Sequence, residues 1–292
     1  MGDIKDLAQS VRCFFVDIGV APVGTNNVKN AISRIESLGV DTEHTVVYVS
    51  ITGNSLVRDK CGGVNFQDFH HHNGAVQCSV SDVAELITLQ IDMVGRLIDL
   101  GYKVVSMAPL PRYFGPCCTD MNHFGADFCP VALNELIRDG GTYLSRRVNT
   151  MWSETPRRVV GVHPERFFSD SVYVAGAVIW RDHVHLKNQS RVKMVRALLV
   201  LANRLVTGSP VTDWYDHTSI PDDISFGEWL GHYREHNAGK LPAIVCAGAV
   251  PACGPSGGQT SRRGSFPKHR HHAPRGRGRG GRGNYSKKAK QN

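Results

Sequence analysis

The sequence lacks a long hydrophobic run, a regular cysteine framework and any acidic residue near its C-terminus. No apolar stretch approaches the ~18 residues that a membrane helix needs, which argues against a membrane-spanning protein. The first residues, MGDIKDLAQSVRC, contain no basic region followed by an apolar run, and residue 6 is Asp. We therefore expect neither a secretory signal nor myristoylation, and we predict an intracellular protein, cytoplasmic or nuclear.

The eight cysteines are scattered along 292 residues, a chain long enough to build a core without disulfides. We therefore expect mostly reduced thiols and no cofactor. Cys117, Cys118, His123 and Cys129 suggest zinc, but adjacent cysteines do not readily chelate one ion, and the spacing differs from that of a zinc knuckle. We favour thiols packed in a structured loop, with a metal site as the alternative. The histidine run in 68–74 is interpreted as an exposed polar loop.

Charge is distributed unevenly along the chain. There are 34 Lys and Arg and 26 Asp and Glu, a formal net charge of +8. Residues 262–292 hold 11 of the basic residues and none of the acidic ones, so the rest carries 23 basic and 26 acidic residues, a net charge of −3. The sequence thus predicts a slightly acidic globular body with a basic tail.

Short apolar runs alternate with amphipathic ones over the first 208 residues. The apolar runs predict strands at 13–18, 45–51, 103–108 and 157–164, of which 45–51 has the pattern of a strand covered on both sides. The amphipathic patterns predict helices at 26–39, 81–101, 130–151 and about 189–205. This alternation favours an α/β fold, a parallel sheet with helices on both faces, and ligands in such folds bind beyond the carboxyl ends of the strands.

Local signals refine these helices. Ser81 is the expected N-cap of the second helix and Gly101 its C-terminal stop, while Gly140 and Gly141 suggest a break in the third. The apolar positions predict three buried faces: Val28, Ala31, Ile32 and Ile35; Val83, Leu86, Ile87, Val94, Leu97 and Ile98; and Val192, Val195, Leu198, Leu199 and Leu205.

The composition changes after residue 208, and we predict four segments. Residues 1–208 form the α/β domain, and 209–240 form either an irregular extension or a short extra helix around Phe226 to His236. Residues 241–261 are an Ala/Gly/Pro-rich linker. Residues 262–292 lack the apolar side chains that would offset the ordering entropy, so we expect a disordered tail.

Two predicted loops carry chemistry. Gly53 and Asn54 follow the strand at 45–51, where glycine allows close backbone approach and the amide can donate a hydrogen bond to an oxyanion. Asp182 and His185 precede the last predicted helix of the domain, where a carboxylate can orient an imidazole as a general base. The structural alternatives are a plain turn, a helix cap and a buried, hydrogen-bonded histidine.

The order strand, Gly-Asn loop, helix, strand, helix, strand, Asp-x-x-His, helix resembles the SGNH/GDSL hydrolase superfamily over roughly residues 2–206. The resemblance implies a flavodoxin-like three-layer sandwich with a parallel sheet. It also implies that Asp182 and His185 belong to the catalytic block and that Gly53 and Asn54 belong to the oxyanion block, with Ser55 in place of the usual Asp. Gly24 resembles the oxyanion glycine of a further block.

The nucleophile block is where this sequence departs from the family. Gly2 and Asp3 resemble the remnant of a Gly-Asp-Ser turn, with Ile4 at the position of the nucleophile. Isoleucine cannot attack a carbonyl, so the resemblance implies a degenerate site. The alternative is an active esterase or deacetylase on a small acyl ester, which a start further upstream that restores the serine would favour.

The C-terminal run RGRGRGGRG is of the RGG type. Arg275, Arg277, Arg279 and Arg282 are expected to pair with phosphates and stack on bases, while the glycines let the backbone follow a single strand. RNA or another single-stranded nucleic acid is therefore the predicted partner, against the alternatives of a solubilising tail or an import signal. An SGNH-like domain beside such a tail resembles the first-frame proteins of some LINE-type retrotransposons.

Overall fold

The structure is a computed structural model that describes residues 25–50, 57–59, 75–77, 79–112, 130–155, 157–168, 179–180, 186–209, 211, 220–221 and 224–241. The chain divides into two units, Met1–Ala252 and Cys253–Asn292, and every described residue lies in the first. The predicted strand at 13–18, the predicted linker beyond residue 241 and the predicted tail lie outside the described residues.

Five strands are described. They are β1 (Val46–Val49), β2 (Val57–Asp59), β3 (Ala75–Gln77), β4 (Lys103–Met107) and β5 (Val159–Val162). The strands β1, β4 and β5 form a parallel sheet in that order, and β2 pairs antiparallel with β3. The parallel sheet predicted from the apolar runs is confirmed, because its three strands coincide with three of those runs.

The described residues also form five α-helices. They are α1 (Thr25–Glu36), α2 (Val80–Asp99), α3 (Pro130–Met151), α4 (Asn188–Thr207) and α5 (Phe226–His236). The short helix predicted around Phe226 to His236 is confirmed as α5, which packs against α2 and α3. None of the described helices has the length and apolar character that crossing a bilayer demands.

Helices cover both faces of the parallel sheet. Val104 packs with α1, α2, α3 and α5 in one apolar cluster, whereas the next residue, Val105, packs with Leu201 and Leu205 of α4 in a second cluster. Successive side chains of a strand point to opposite faces, so these two clusters lie on the two sides of the sheet. The chain is therefore a mixed α/β protein with helices on both sides of a parallel sheet.

The start of α2 differs from the prediction. Ser79 is the N-cap rather than Ser81, because its hydroxyl accepts from the backbone N–H of Asp82, whose carboxylate accepts from the N–H of Ser79 in return. This reciprocal capping box satisfies two donors at once, which Ser81 cannot do from inside the first turn. Gly101 lies at the predicted stop with φ +91°, a conformation that favours glycine.

The break predicted at Gly140 and Gly141 is wrong, because α3 runs through both residues. A Cβ at Gly140 would lie 2.8 Å from a methyl carbon of Val83, and one at Gly141 would lie 3.1 Å from the ring of His163. The two glycines therefore allow close packing of α3 against α2 and the sheet, and this packing offsets their poor helix propensity.

Two predicted burial patterns are only partly confirmed. The strand β1 exists, but Tyr48 is 38% exposed, so the strand is not covered along both faces. On α4, Leu205 is buried as predicted, while Leu201, which was not predicted, is its other fully buried residue. The remaining predicted positions of α4 are half-buried or, like Leu198, pack at the margin of the cluster.

Candidate functional site at the carboxyl edge of the sheet

The predicted catalytic residues Gly24, Gly53, Asn54, Asp182 and His185 lie outside the described residues. The same holds for the tail arginines and for the cysteine-rich loop between β4 and α3. The chain on both sides of the two main motifs is described, however. Its geometry shows where the first motif leaves the parallel sheet and between which buried residues the second motif lies in the chain.

The carboxyl ends of β1 and β4 are tied together by Gln90 of α2. The fully buried Gln90 amide donates to the carbonyl oxygen of Val49 at 3.3 Å and to the Ser106 hydroxyl and the Met107 carbonyl oxygen at 3.0 Å each. The amide has two N–H donors for these three acceptors, all of them in the interior, so Gln90 joins the ends of the two strands. The predicted oxyanion motif begins four residues after Val49.

The residues on either side of the segment that carries Asp182 and His185 are paired with each other, and we call this pairing the neck. Trp180 and Leu186 form an antiparallel β-bridge, and the N–H of Lys187 donates to the carbonyl oxygen of Ile179 at 2.9 Å. Trp180, Leu186 and Ile179 are all buried in the core that also contains Val49. The chain is therefore anchored in the core directly before residue 181 and directly after residue 185.

The neck lies on the carboxyl side of the sheet. The chain leaves β5 through a short 3₁₀ helix, Pro164–Phe167, which contacts α4. The Lys193 ammonium lies 5.9 Å from the centroid of the Phe168 ring, so the first turns of α4 are beside the carboxyl end of β5. The N-terminal end of α4 thus lies on the side where α/β proteins bind ligands.

His163 directly follows β5 at the same edge. Its Nδ1 accepts from the backbone N–H of Glu165 at 3.4 Å, and its side chain is 12% exposed. Burial lowers the pKa of His163 to about 4, while a hydrogen bond with the backbone of Arg138 acts in the opposite direction. The imidazole is therefore neutral at pH 7 and caps the 3₁₀ helix.

Arg112 ends the described segment after β4. Its N–H donates to Oδ1 of Asn134 at 2.8 Å, and Nδ2 of Asn134 donates to its carbonyl oxygen at 2.6 Å. Burial lowers the pKa of the Arg112 guanidinium to about 10, so it still carries a positive charge at pH 7. Arg112 is only 6% exposed, so this charge is buried.

Sequence reasoning missed Gln90, Asn134 and His163, although a signal existed for two of them. Gln90 interrupts the apolar stripe of α2, and Asn134 lies beside the buried Leu133 of α3. A polar residue on an apolar helix face must find a hydrogen-bond partner inside the protein, so such a position marks a junction.

No family model matches the chain, and neither curated proteins nor solved structures gave a match. Within the described ranges, no three His, Cys, Asp or Glu side chains are arranged to hold a metal ion. What the chain does is therefore inferred from its motifs and from the geometry of the sheet edge.

Proposed function

We propose that this chain binds single-stranded nucleic acid, RNA in the first place, through its basic tail, and that an SGNH-like domain without a nucleophile carries that tail. The observation behind the proposal is the charge distribution. Residues 262–292 hold 11 basic and no acidic residues, whereas the rest of the chain is net negative. Affinity for a polyanion then has to come mainly from the tail.

The strand order supports the SGNH-like assignment. A flavodoxin-like sheet has the order 2-1-3-4-5, in which the last three strands lie side by side in chain order. The strands β1, β4 and β5 lie side by side in chain order and are parallel. The predicted strand at 13–18 would belong beyond β1 in this arrangement.

The two motif flanks support a shared crevice. The segment with Gly53 and Asn54 leaves the carboxyl end of β1, which Gln90 joins to the end of β4. The segment with Asp182 and His185 leaves and rejoins the core beside Leu186, just before α4. We therefore expect Asn54 and His185 to face one crevice, and an experimental structure that places them at opposite edges of the sheet would end the assignment.

Truncation after Gly258 tests the main proposal. Fluorescence anisotropy with a single-stranded RNA at two salt concentrations should show that the truncated chain loses most of its affinity and most of its salt dependence. On single strands the slope of log K against log salt is about −0.7 per phosphate contacted. A truncated chain that keeps full affinity would contradict the proposal.

Two full-length variants separate charge from stacking. Replacing Arg275, Arg277, Arg279 and Arg282 with Gln removes the guanidinium charges, so the salt slope should become shallower. Replacing the same four with Lys keeps the charges, so the slope should stay while the affinity falls, because lysine stacks poorly on bases. Equal binding by both variants and the unmodified chain would show that the RGG-type run is not the contact.

A further inference from the structure

Helix α4 is a basic element in a body that is net negative. The helix contains Arg191, Lys193, Arg196 and Arg204, and Lys187 directly precedes it. No acidic residue occurs from 186 to 212. The exposed Arg157 adds to this charge, because its Cδ lies 3.9 Å from the position that a Cβ at Gly208 would occupy, at the C-terminal end of α4.

One face of α4 is buried against the sheet and the other is exposed. Leu201 and Leu205 are fully buried against Val105 and Val160 of the sheet, so the apolar face is already in use. After Asn188, which is also exposed, the exposed positions recur at helical spacing and are Gln189, Lys193, Arg196, Val200, Asn203 and Thr207. They form one outer face of positive charge and hydrogen-bond donors, along a helix about 30 Å long at 1.5 Å per residue.

The charges at the centre of this outer face are not neutralised by described carboxylates. No described Asp or Glu forms an ion pair with Lys193 or Arg196; the Lys193 ammonium contacts the Phe168 ring instead. Exposed acidic residues occur on the opposite side of the sheet, where α2 carries Glu85, Asp92 and Asp99. Among the described residues, the exposed carboxylates of α2 are therefore separated from α4 by the sheet.

We propose that the outer face of α4, centred on Lys193 and Arg196, is a second docking surface for the phosphates of the single strand that the tail captures. This inference rests on the proposed function. A strand held by the tail is at high local concentration, so a weak additional contact of a few charges suffices to orient it on the body. Binding the same strand at two places would tie the RNA to the domain as well as to the tail.

An RNA strand fits this face better than a membrane does. A helix that inserts into a lipid surface needs exposed aromatic or large aliphatic side chains. On the outer face of α4 the only apolar side chain is Val200, which is 52% exposed, while Leu198, Leu201 and Leu205 pack in the cluster on the sheet. Charge without an apolar partner suits a phosphate backbone.

The test uses the full-length chain and a matched control. The variant Lys193→Gln with Arg196→Gln removes two charges from α4. The control, Lys29→Gln with Arg34→Gln, removes the same two residue types from exposed positions of α1, on the other side of the sheet. Anisotropy with a uridine homopolymer is measured between 50 and 200 mM salt, and thermal melting checks that each variant is folded.

Loss of two phosphate contacts makes the salt slope shallower by about 1.4, so the affinity of the α4 variant should change about sevenfold less over this salt range. The control should keep the salt slope of the unmodified chain. The charge-preserving variant Lys193→Arg with Arg196→Lys should bind RNA like the unmodified chain. Equal losses in the α4 variant and the control, or no loss in either, would overturn the docking surface but leave the tail proposal standing.

Two further outcomes are decisive. If the unmodified chain does not bind the homopolymer at all, the proposed function and this inference both fail. Phosphatidylcholine vesicles with phosphatidylserine provide the remaining arm. If these vesicles bind the chain through Lys193 and Arg196 while RNA binding is unchanged in the variant, the face is a membrane surface and the inference is wrong.

Discussion

Asn149 of α3 pairs with both backbone groups of Gly161 in β5. Its Oδ1 accepts from the Gly161 N–H at 2.7 Å, and its Nδ2 donates to the Gly161 carbonyl oxygen at 3.1 Å. Among the described residues β5 has a strand neighbour on one side only, β4, so Asn149 satisfies backbone groups that face away from that neighbour. A side-chain amide thus takes the place of a strand at this position.

Replacing Gly161 with Ala should lower the free energy of unfolding by about 3 kcal/mol. The added Cβ would lie 2.5 Å from the carbonyl oxygen of Ser145, so α3 would have to move off the sheet. The matched control is Gly231→Ala, at an exposed helical position with nothing within 4 Å, which should gain about 0.5–1 kcal/mol. Urea denaturation measures the unfolding free energy of both variants. A Gly161→Ala variant as stable as Gly231→Ala would contradict the close packing of α3 on β5.

Replacing Asp139 with Asn should cost about 3–5 kcal/mol of unfolding free energy. The carboxylate is 0% exposed and pairs with Nε of Arg138 at 3.1 Å and with Nε of Arg234 on α5 at 2.8 Å. Its loss leaves the buried Arg138 without this partner and weakens the contact between α3 and α5. The control is Asp92→Asn in the exposed pair with Arg96, where a loss of about 0.5 kcal/mol or less is expected in the same denaturation experiment.

Stability should fall as the pH is lowered from about 6.5 to 4. The pKa of His163 is lowered by burial from 6.5 to about 4, so in this window the unfolded chain binds more protons than the folded one. The contribution of His163 to this fall in unfolding free energy is at most about 1.4 kcal/mol per pH unit. The fall should be shallower in His163→Gln, because glutamine does not titrate. An imidazole resonance of His163 that titrates near 6.5 in the folded protein would contradict this.

The chain should hydrolyse p-nitrophenyl acetate no faster than its His185→Ala variant. The reason is Ile4, which occupies the position where the SGNH resemblance expects the nucleophile. Release of nitrophenol is followed by absorbance. A burst that depends on His185 would show that another residue attacks the ester, and the active esterase would then be favoured over the degenerate site.

The sequence alone determined most of the elements. Continuous apolar runs located three parallel strands, and helical periodicity located the buried face of α1, because a strand covered on both faces is apolar throughout and a half-buried helix leaves a period of 3.6. It also determined the basic tail, since charge is a property of composition. The resemblance that implies a catalytic role for Asp182 and His185 came from the order of the motifs, and both residues lie outside the described residues.

Only the tertiary structure decided how the elements are joined. Gly140 and Gly141 predict a break when taken alone, but the approach of α3 to Val83 and His163 requires them inside a continuous helix. Gln90 and Asn149 became junctions only when folding brought them to Val49 and Gly161, distant in sequence. Such pairings satisfy buried polar groups across the fold, and a one-dimensional pattern does not contain the partner that each group meets.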